Sequence, residues 1–425
     1  MEEPSTLILR ARVVLPIHRP PIENGAVAIR EDRIVGVSRW QHLRSRFPSC
    51  ALDLGEVILM PGLINAHCHL DYTDMAGLFP PPGKFCDWIK LITTEKGLWS
   101  FTDFAQSWIN GAKMLLRTGT TTVADIEAVP ELLPDVWETT PLRVFSFLEM
   151  TGIRSRRSPE AILSEAVEKV RSLPNGHCAA ALSPHAPYST SPVLISDSAA
   201  ESRKRKWRMC CHVAESSTEF DMFRNARGEM FDWLKRNHRD MSDCGGVSPV
   251  QHLARNGALS ENFLAIHVNY LAKGDASLLA RKKVSVVHCP RSRDFFSHDK
   301  FPYKKLNRLG VNICLGTDSL ATVRKKKHQT VELSMFDEMR AFSQFNTHVA
   351  PERILRMATA NGAKALGLSG KVGVLSPGAF ADVIALKFDG KPADCVEAVV
   401  QHSGAVSACM IDGEWAHYPE GHSAA

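Results

Sequence analysis

Eight short apolar runs, separated by helical patterns or long connections, constrain the fold of this chain more than any other feature. One run precedes His67, and apolar residues at helical spacing over 101–117 separate it from the next run. Eight such strands predict a (β/α)8 barrel of the TIM type. An open doubly wound sheet is the alternative, but no glycine-rich phosphate loop follows any run. The other runs occupy 120–126, 141–149, 178–183, 208–212, 263–267, 284–288 and 311–315.

Residues that commonly bind metal ions stand at the ends of several runs. His67 and His69 alternate on one strand, so both imidazoles point to the same face and can hold one ion. His212, His267 and Asp318 come at the ends of other runs, where a barrel carries its active site. Each residue alone could be a hydrogen-bonded strand end. Five placed alike indicate a metal centre with nitrogen and oxygen ligands, which suits zinc or iron(II).

Nine segments of the chain carry a family resemblance, and they are PGLINAHCHL (61–70), TGTTTVAD (118–125), SPHAPYS (183–189), CHVAES (211–216), AIHVNYL (265–271), VVHCPRS (286–292), LGTDS (315–319), ATANGAKALGL (358–368) and GVLSPGAFADVIAL (373–386). In this order they resemble the metal-dependent amidohydrolase superfamily, in the branch of the cytosine, guanine and S-adenosylhomocysteine deaminases and the triazine chlorohydrolases. The segment FCDWIKLI (85–92) is most similar to aminodeoxyfutalosine deaminase-like sequences. The resemblance implies a hydrolase that acts on carbon–nitrogen bonds other than peptide bonds.

The two chain ends have a different pattern, in which short strand-like runs and turns replace the alternation with helices. Because both ends flank the barrel, we expect them to pair as one small β-sandwich, which the resemblance also implies. The strand-like runs lie at 6–9, 26–30, 33–37, 382–386, 395–402 and 408–411. The predicted division is 1–57 and 369–425 for the sandwich and 58–368 for the barrel.

The resemblance implies one metal ion per chain. Two-metal relatives bridge their ions with a carboxylated lysine at the end of the fourth strand, and the corresponding segment here, CAAALSPHAPYS (178–189), contains no lysine. The predicted ligands are His67, His69, His212 and Asp318, with zinc favoured over iron(II). His267 is expected beside the ion, where it orients water or substrate, unless it is itself a ligand.

Glu215 follows His212 by three residues, where the chain has left the strand and a carboxylate can lean over a bound substrate. We predict that Glu215 donates a proton to a ring nitrogen, while Asp318 accepts the proton of a metal-activated water and returns it to the leaving ammonia. The predicted reaction is hydrolytic deamination of an amino-substituted heterocycle, such as a purine or nucleoside. A carboxylate that caps the next helix is the alternative for Glu215.

Four further residues are candidates for substrate contacts, and each also has a structural explanation. His185 would hydrogen-bond the substrate by resemblance, or be a buried structural histidine. Trp88 could stack on a heterocycle or belong to a helix core. His288 could line the pocket or orient a neighbour, and Arg154 could hold a carboxylate or lie on the surface. Arg293 stands where many relatives have asparagine, so a relative's exact substrate does not carry over.

Composition and charge indicate which classes of partner to expect, and two other functions remain open. The net charge is only +5, so neither nucleic acid nor a membrane surface is an expected partner. Eleven scattered cysteines predict free thiols in the cytoplasm, and the longest apolar runs fall far below the ~18 residues of a membrane span. A homo-oligomer, such as a dimer, is implied by the resemblance. Hydrolytic dechlorination or cyclic-amide hydrolysis is the alternative reaction, and a non-catalytic metal-binding protein is the third hypothesis.

Overall fold

The computed structural model describes residues 5–47, 50–153, 156–174 and 176–419, and its strands form two large sheets. The strands are β1 (Leu7–Val14), β2 (Ile22–Arg30), β3 (Arg33–Arg39), β4 (Cys50–Asp53), β5 (Val57–Pro61), β6 (Leu63–Cys68), β7 (Thr120–Glu127), β8 (Arg143–Met150), β9 (Ala179–Pro184), β10 (Met209–Val213), β11 (Phe263–His267), β12 (Ser285–His288), β13 (Asn312–Leu315), β14 (Val383–Lys387), β15 (Ala408–Ile411) and β16 (Glu414–His417).

Helices follow most strands of the barrel, and short 3-10 turns occur at Leu70–Met75, Pro130–Leu132, Leu320–Thr322 and Pro392–Asp394. The α-helices are α1 (Trp40–Arg46), α2 (Phe85–Lys96), α3 (Phe101–Arg117), α4 (Leu133–Glu138), α5 (Pro159–Ser172), α6 (Pro192–Arg205), α7 (Ser217–Asn225), α8 (Glu229–Arg236), α9 (Pro249–Arg255), α10 (Asp275–Arg281), α11 (Pro290–Phe295), α12 (Tyr303–Arg308), α13 (Met335–Phe345), α14 (Pro351–Met357), α15 (Ala360–Leu366) and α16 (Cys395–Val400).

Strands β6 to β13 form the barrel, and each is parallel to the next in chain order. The barrel closes between its first and last strands, where Cys68 and Asp318 form a parallel bridge. Apolar side chains such as Ile64, Phe147 and Ile266 fill the interior, as in a packed TIM-type barrel. The predicted (β/α)8 fold is confirmed, and the eight predicted runs are its strands.

Helix α3 shows why the predicted helix over 101–117 forms. The Ser100 side chain accepts a hydrogen bond from the Asp103 N–H, and the Asp103 carboxylate accepts one from the Ser100 N–H, so the first turn is capped reciprocally. Trp108 on the buried face donates from Nε1 to Asp125 Oδ2 on β7 (3.0 Å). That bond fixes the helix beside its strand.

The two chain ends form the second sheet, in the order β16-β15-β14-β5-β1-β2-β3, with β4 paired to β1. Strand β5 from the first half pairs antiparallel with β14 from the second, so the ends make one unit, as predicted. Two backbone hydrogen bonds connect distant parts of this sheet. The Ile34 N–H donates to the Ala379 carbonyl and the Gly413 N–H donates to the Ala381 carbonyl, so the sheet folds over one shared apolar cluster. Strand β5 continues this sheet to Pro61, past the proposed division at residue 57.

The strand predicted at 395–402 is wrong, because this segment forms helix α16. Its buried residues Cys395, Val396, Val399 and Val400 recur at helical spacing, so one face of a helix can bury them all. β-branched residues favour strands, but that preference is weak and burial overrides it.

No helix within the described ranges has the length and apolar character needed to cross a bilayer. All eleven cysteines are free thiols, and most of them are buried.

Arg143, at the start of β8, connects the barrel to the chain-end sheet. Its buried guanidinium donates to Asp412 Oδ1 (2.5 Å) and lies 3.6 Å from Asp382 Oδ1. It also lies over the Phe380 ring, 4.2 Å from the centroid. Burial raises the pKa of Asp382 to about 6 even though Arg143 opposes the shift, so this carboxylate depends on its cation.

We expect Arg143→Leu to lower the free energy of unfolding by about 3 kcal/mol, because it strands the buried Asp382 without its cation. Arg10→Leu is the matched control. It removes the more exposed pair with Asp53 (2.7 Å) and should cost less than about 1 kcal/mol. Urea unfolding measures both, and equal losses would contradict the role given to Arg143.

Candidate active site

The predicted metal residues meet at the C-terminal mouth of the barrel. His67 lies near the end of β6 and His69 follows the strand, so their rings lie on the same side. The His67 ring centroid is 5.0 Å from those of His69 and His212 and 5.7 Å from that of His267, which ends β11. Asp318 approaches the same point from the loop after β13.

The donor atoms of these side chains are close enough to share one ion. His69 Nε2 and His212 Nε2 are 3.3 Å apart, and Asp318 Oδ1 lies 3.5 Å from His67 Nε2 and 3.7 Å from His69 Nε2. Tetrahedral ligands at about 2.0–2.1 Å from zinc are separated by about 3.3 Å, so the spacing suits zinc. Within the described residues, both buried ring nitrogens of His67 lack a hydrogen-bond partner, as befits an imidazole that serves an ion.

Neighbouring groups fix the tautomer and the charge of the histidines. The His212 Nδ1–H donates to the His185 carbonyl (2.9 Å), which leaves Nε2 as the free donor atom. Burial lowers the pKa of His212 to about 3, and it lowers the pKa of His69 and of His267 well below the usual value. The rings are therefore neutral at pH 7, which is the state that can bind a metal.

Asp318 is placed by the contact that closes the barrel. Its N–H donates to the His67 carbonyl (3.1 Å), and the preceding Thr317 exchanges two hydrogen bonds with the Asn65 side chain (2.7 and 3.0 Å). Asp318 and His267 have φ values of +55° and +71°, a strained conformation that often marks functional sites. Burial would raise the pKa of Asp318, but the neighbouring rings of His67, His267 and His69 hold it well below its usual range.

Glu215 lies across the cluster from His69. Its Oε1 is 3.6 Å from His267 Nε2, and the nearest donor atoms of Glu215, His267 and Asp318 all lie within 4.8 Å of one another. Burial raises the pKa of Glu215 well above its usual value, and the charges of Asp318 and Glu219 add to the shift. The buried site therefore favours the protonated form of this carboxyl group more than water does.

Glu219 fixes the turn that carries Glu215. Its fully buried carboxylate accepts hydrogen bonds from the Ala214 N–H (2.9 Å) and the Glu215 N–H (2.8 Å). Ser216, rather than Glu215, caps helix α7 by accepting from the Glu219 N–H. The sequence interpretation missed Glu219, although a serine three residues before a glutamate is the spacing of a capping box.

A cavity of about 510 Å³ opens onto this cluster, and His185 and Trp88 line it. The Ser189 hydroxyl donates to the Ala186 carbonyl and lies 2.6 Å from His185 Nδ1, so it accepts the Nδ1–H. His185 Nε2 is thereby left as an acceptor. Trp88 packs edge-on against Phe296, with centroids 5.0 Å apart, and this contact orients the indole in the cavity wall.

His288, another predicted substrate residue, does not line this cavity. The His288 ring stacks on Phe301 with centroids 3.9 Å apart, and burial lowers its pKa to about 3. The Arg293 guanidinium lies over the Phe345 ring, 4.5 Å from its centroid. Arg154 lies outside the described residues.

The model of the amidohydrolase family matches residues 58–416, which covers the barrel and strands β5, β14, β15 and β16 of the chain-end sheet. This chain belongs to the amidohydrolase family. A curated relative, the 5-methylthioadenosine/S-adenosylhomocysteine deaminase of Syntrophobacter fumaroxidans, is 28% identical over 391 residues, which cover 86% of this chain and 80% of the relative.

Solved structures share the fold over nearly the whole chain. An adenosine deaminase from Xanthomonas campestris with bound zinc gives a TM-score of 0.83 at 24% identity and covers 97% of this chain and 93% of its own. Helicobacter pylori aminofutalosine deaminase with methylthio-coformycin gives 0.85 at 21%, covering 96% and 99%. Atrazine chlorohydrolase from Arthrobacter aurescens with zinc gives 0.82 at 18%, covering 98% and 97%.

Two charged residues in the cavity wall of this amidohydrolase were missed. Glu149 lies near the C-terminal end of β8, and Lys96, in the last turn of α2, places its Nζ 3.9 Å from Glu149 Oε1. The predicted run at 141–149 ended in a carboxylate, which is a signal at the functional end of a barrel strand. Lys96 gave no signal, because lysine is common in the last turn of a helix.

We expect Gly316→Ala to weaken metal binding on the order of tenfold to a hundredfold, the range for lost ligand support. A Cβ at Gly316 would lie 2.8 Å from the His67 Cβ and carbonyl oxygen, so β6 would have to move with its ligands. Gly83→Ala is the control, because no atom lies within 4 Å of its added Cβ. Zinc titration against a competing chelator measures both affinities, and an unchanged affinity for Gly316→Ala would contradict the placement of His67.

Proposed function

We propose that this amidohydrolase is a metal-dependent hydrolytic deaminase that removes ammonia from an amino-substituted heterocycle of the purine nucleoside class. The observation that carries the proposal is the placement of two buried carboxyl groups, Asp318 and Glu215, beside the imidazole cluster, with oxygens within 4.8 Å of each other. Burial raises the pKa of Glu215 above its usual value, whereas the neighbouring imidazoles lower that of Asp318, so the two groups differ in their affinity for a proton. One can accept a proton while the other donates one, which is what deamination of a ring carbon needs.

His67, His69, His212 and Asp318 are proposed to hold one divalent ion, for which zinc is favoured over iron(II). The nitrogen-rich donor set and its spacing suit zinc, and zinc is present in the structures of the Xanthomonas and Arthrobacter enzymes. When bound, the ion would lower the pKa of a water so that it attacks at neutral pH. His267, which lies beside both the ion site and Glu215, is proposed to orient that water.

The proton transfers then follow from the two carboxyl groups. Asp318 accepts a proton from the attacking water as its oxygen bonds to the ring carbon that bears the amino group. Glu215 donates its proton to the adjacent ring nitrogen. Asp318 gives its proton to the departing amine, which leaves as ammonia, and the hydroxyl proton returns to Glu215. The ring keeps a carbonyl oxygen in place of the amine, so atoms and charges balance.

The cavity supports a heterocyclic substrate of nucleoside size. Its volume of about 510 Å³ falls in the range of small-molecule sites, and aromatic and aliphatic side chains such as Trp88, Trp233 and Ile153 line it. His185 is proposed to accept a hydrogen bond from the ring, and Trp88 to stack on it. The curated relative named 5-methylthioadenosine/S-adenosylhomocysteine deaminase supports the nucleoside class.

Dechlorination is the second candidate, because the atrazine chlorohydrolase shares the fold. A structure at 18% identity supports the fold alone. An ammonia-release screen over adenosine-like, guanine-like, pterin-like and triazine compounds distinguishes the two reactions. Release of chloride without ammonia would replace our proposal. We also propose a homo-oligomer and a reducing, cytoplasmic setting, the latter supported by the free thiols.

We expect Glu215→Gln to keep near-normal zinc content and to lower turnover on the order of a hundredfold or more, because the amide keeps the shape but cannot donate the proton. His212→Ala should instead lower the zinc content itself. Elemental analysis and ammonia release measure the two properties separately.

If Glu215→Gln loses its zinc, Glu215 is a ligand rather than a proton donor. Nearly full turnover in that variant would assign the proton transfer to another group. Ser217→Ala is a suitable control near the same turn, because Ser217 begins helix α7 and is exposed.

A further inference from the structure

Glu149 is a charged group in the cavity wall that the proposed chemistry does not use. Its side chain is 11% exposed, and among the described residues Lys96, at 3.9 Å, is its ion-pair partner. Burial would raise its pKa, but Lys96, His185 and His212 lower it below the usual value, so the carboxylate is ionised. An ionised carboxylate that faces a cavity accepts hydrogen bonds and has none to donate.

Lys96 makes two contacts within the cavity wall. Its ammonium lies over the Tyr72 ring, 4.7 Å from the centroid, and faces Glu149 on the other side. These contacts tie helix α2 to strand β8. Because the lysine charge is balanced by Glu149, this part of the wall attracts a neutral group with hydroxyl donors and disfavours an anion.

The position of Glu149 in the cavity indicates which part of a substrate it would contact, namely the group attached to the heterocycle. His185 follows β9, next to β8, and its ring centroid is 4.9 Å from that of the metal residue His212. Glu215 follows β10, His185 follows β9 and Glu149 lies on β8, so the three side chains stand at successive positions around the mouth of the barrel. A ring that contacts His185 and presents its amino carbon to Glu215 would direct its substituent toward Glu149.

We propose that Glu149 recognises the sugar of the substrate, by accepting hydrogen bonds from the two neighbouring hydroxyls of a ribose. This inference rests on the proposed function and narrows it to ribonucleosides. The two carboxylate oxygens match the two donors of a vicinal diol, and Lys96 holds the carboxylate in place. Glu149 is thus a specificity residue, separate from the proton transfers at Glu215 and Asp318.

The test compares adenosine with 2′,3′-dideoxyadenosine in the zinc-loaded wild type, Glu149→Gln and Glu138→Gln. Glu138 is exposed at the end of α4, so its variant is the matched control. We expect wild type to prefer adenosine in kcat/KM on the order of thirtyfold or more, the scale of hydrogen bonds to a charged group. Glu149→Gln should lose most of that preference, with dideoxyadenosine turnover and zinc content nearly unchanged, and Glu138→Gln should keep it.

Equal wild-type activity on the two nucleosides would overturn the proposal without any variant. So would a Glu149→Gln variant that loses activity equally on both, because that result indicates a structural role. Ammonia release from free bases or triazines but from no ribonucleoside would overturn the assignment to Glu149 and leave deamination intact. Absence of ammonia from every compound would instead reject the proposed function.

Discussion

The contact that closes the barrel between β6 and β13 is the constraint on which the site depends. The Asp318 N–H bonds to the His67 carbonyl, so a carboxylate from the last strand meets two imidazoles from the first. The strands approach so closely at Gly316 that an added Cβ would lie 2.8 Å from His67. Closure of the barrel therefore brings the candidate metal residues together, and neither sheet edge can supply the whole cluster alone.

Burial gives the groups of this site different affinities for a proton. Loss of water lowers the pKa of His69, His212 and His267 and raises that of Glu215, whereas contacts with the neighbouring imidazoles lower that of Asp318. Glu219 places the Glu215 carboxyl by accepting hydrogen bonds from the backbone of its turn. Burial and neighbouring side chains thus set the pKa of Glu215, whereas Glu219 sets its position.

The sequence predicts the barrel, and it also predicts that the five candidate metal residues come together, because they stand at the ends of apolar runs. It fails where composition and packing disagree, as in α16, whose valines favour a strand but pack as one helix face. It also fails where neighbours decide a role. Glu149 gains meaning only beside Lys96, and His288 is a plausible pocket residue until its ring is seen stacked on Phe301.

The central claim is that one ion, held by these imidazoles and Asp318, supports release of ammonia from a heterocycle. The most direct measurement removes the metal with a chelator, restores zinc stepwise, and follows bound zinc and ammonia release together. The account predicts that activity rises in proportion to bound zinc and reaches its maximum at about one ion per chain. Full activity in the metal-free protein, or a maximum reached only at about two ions per chain, would contradict it.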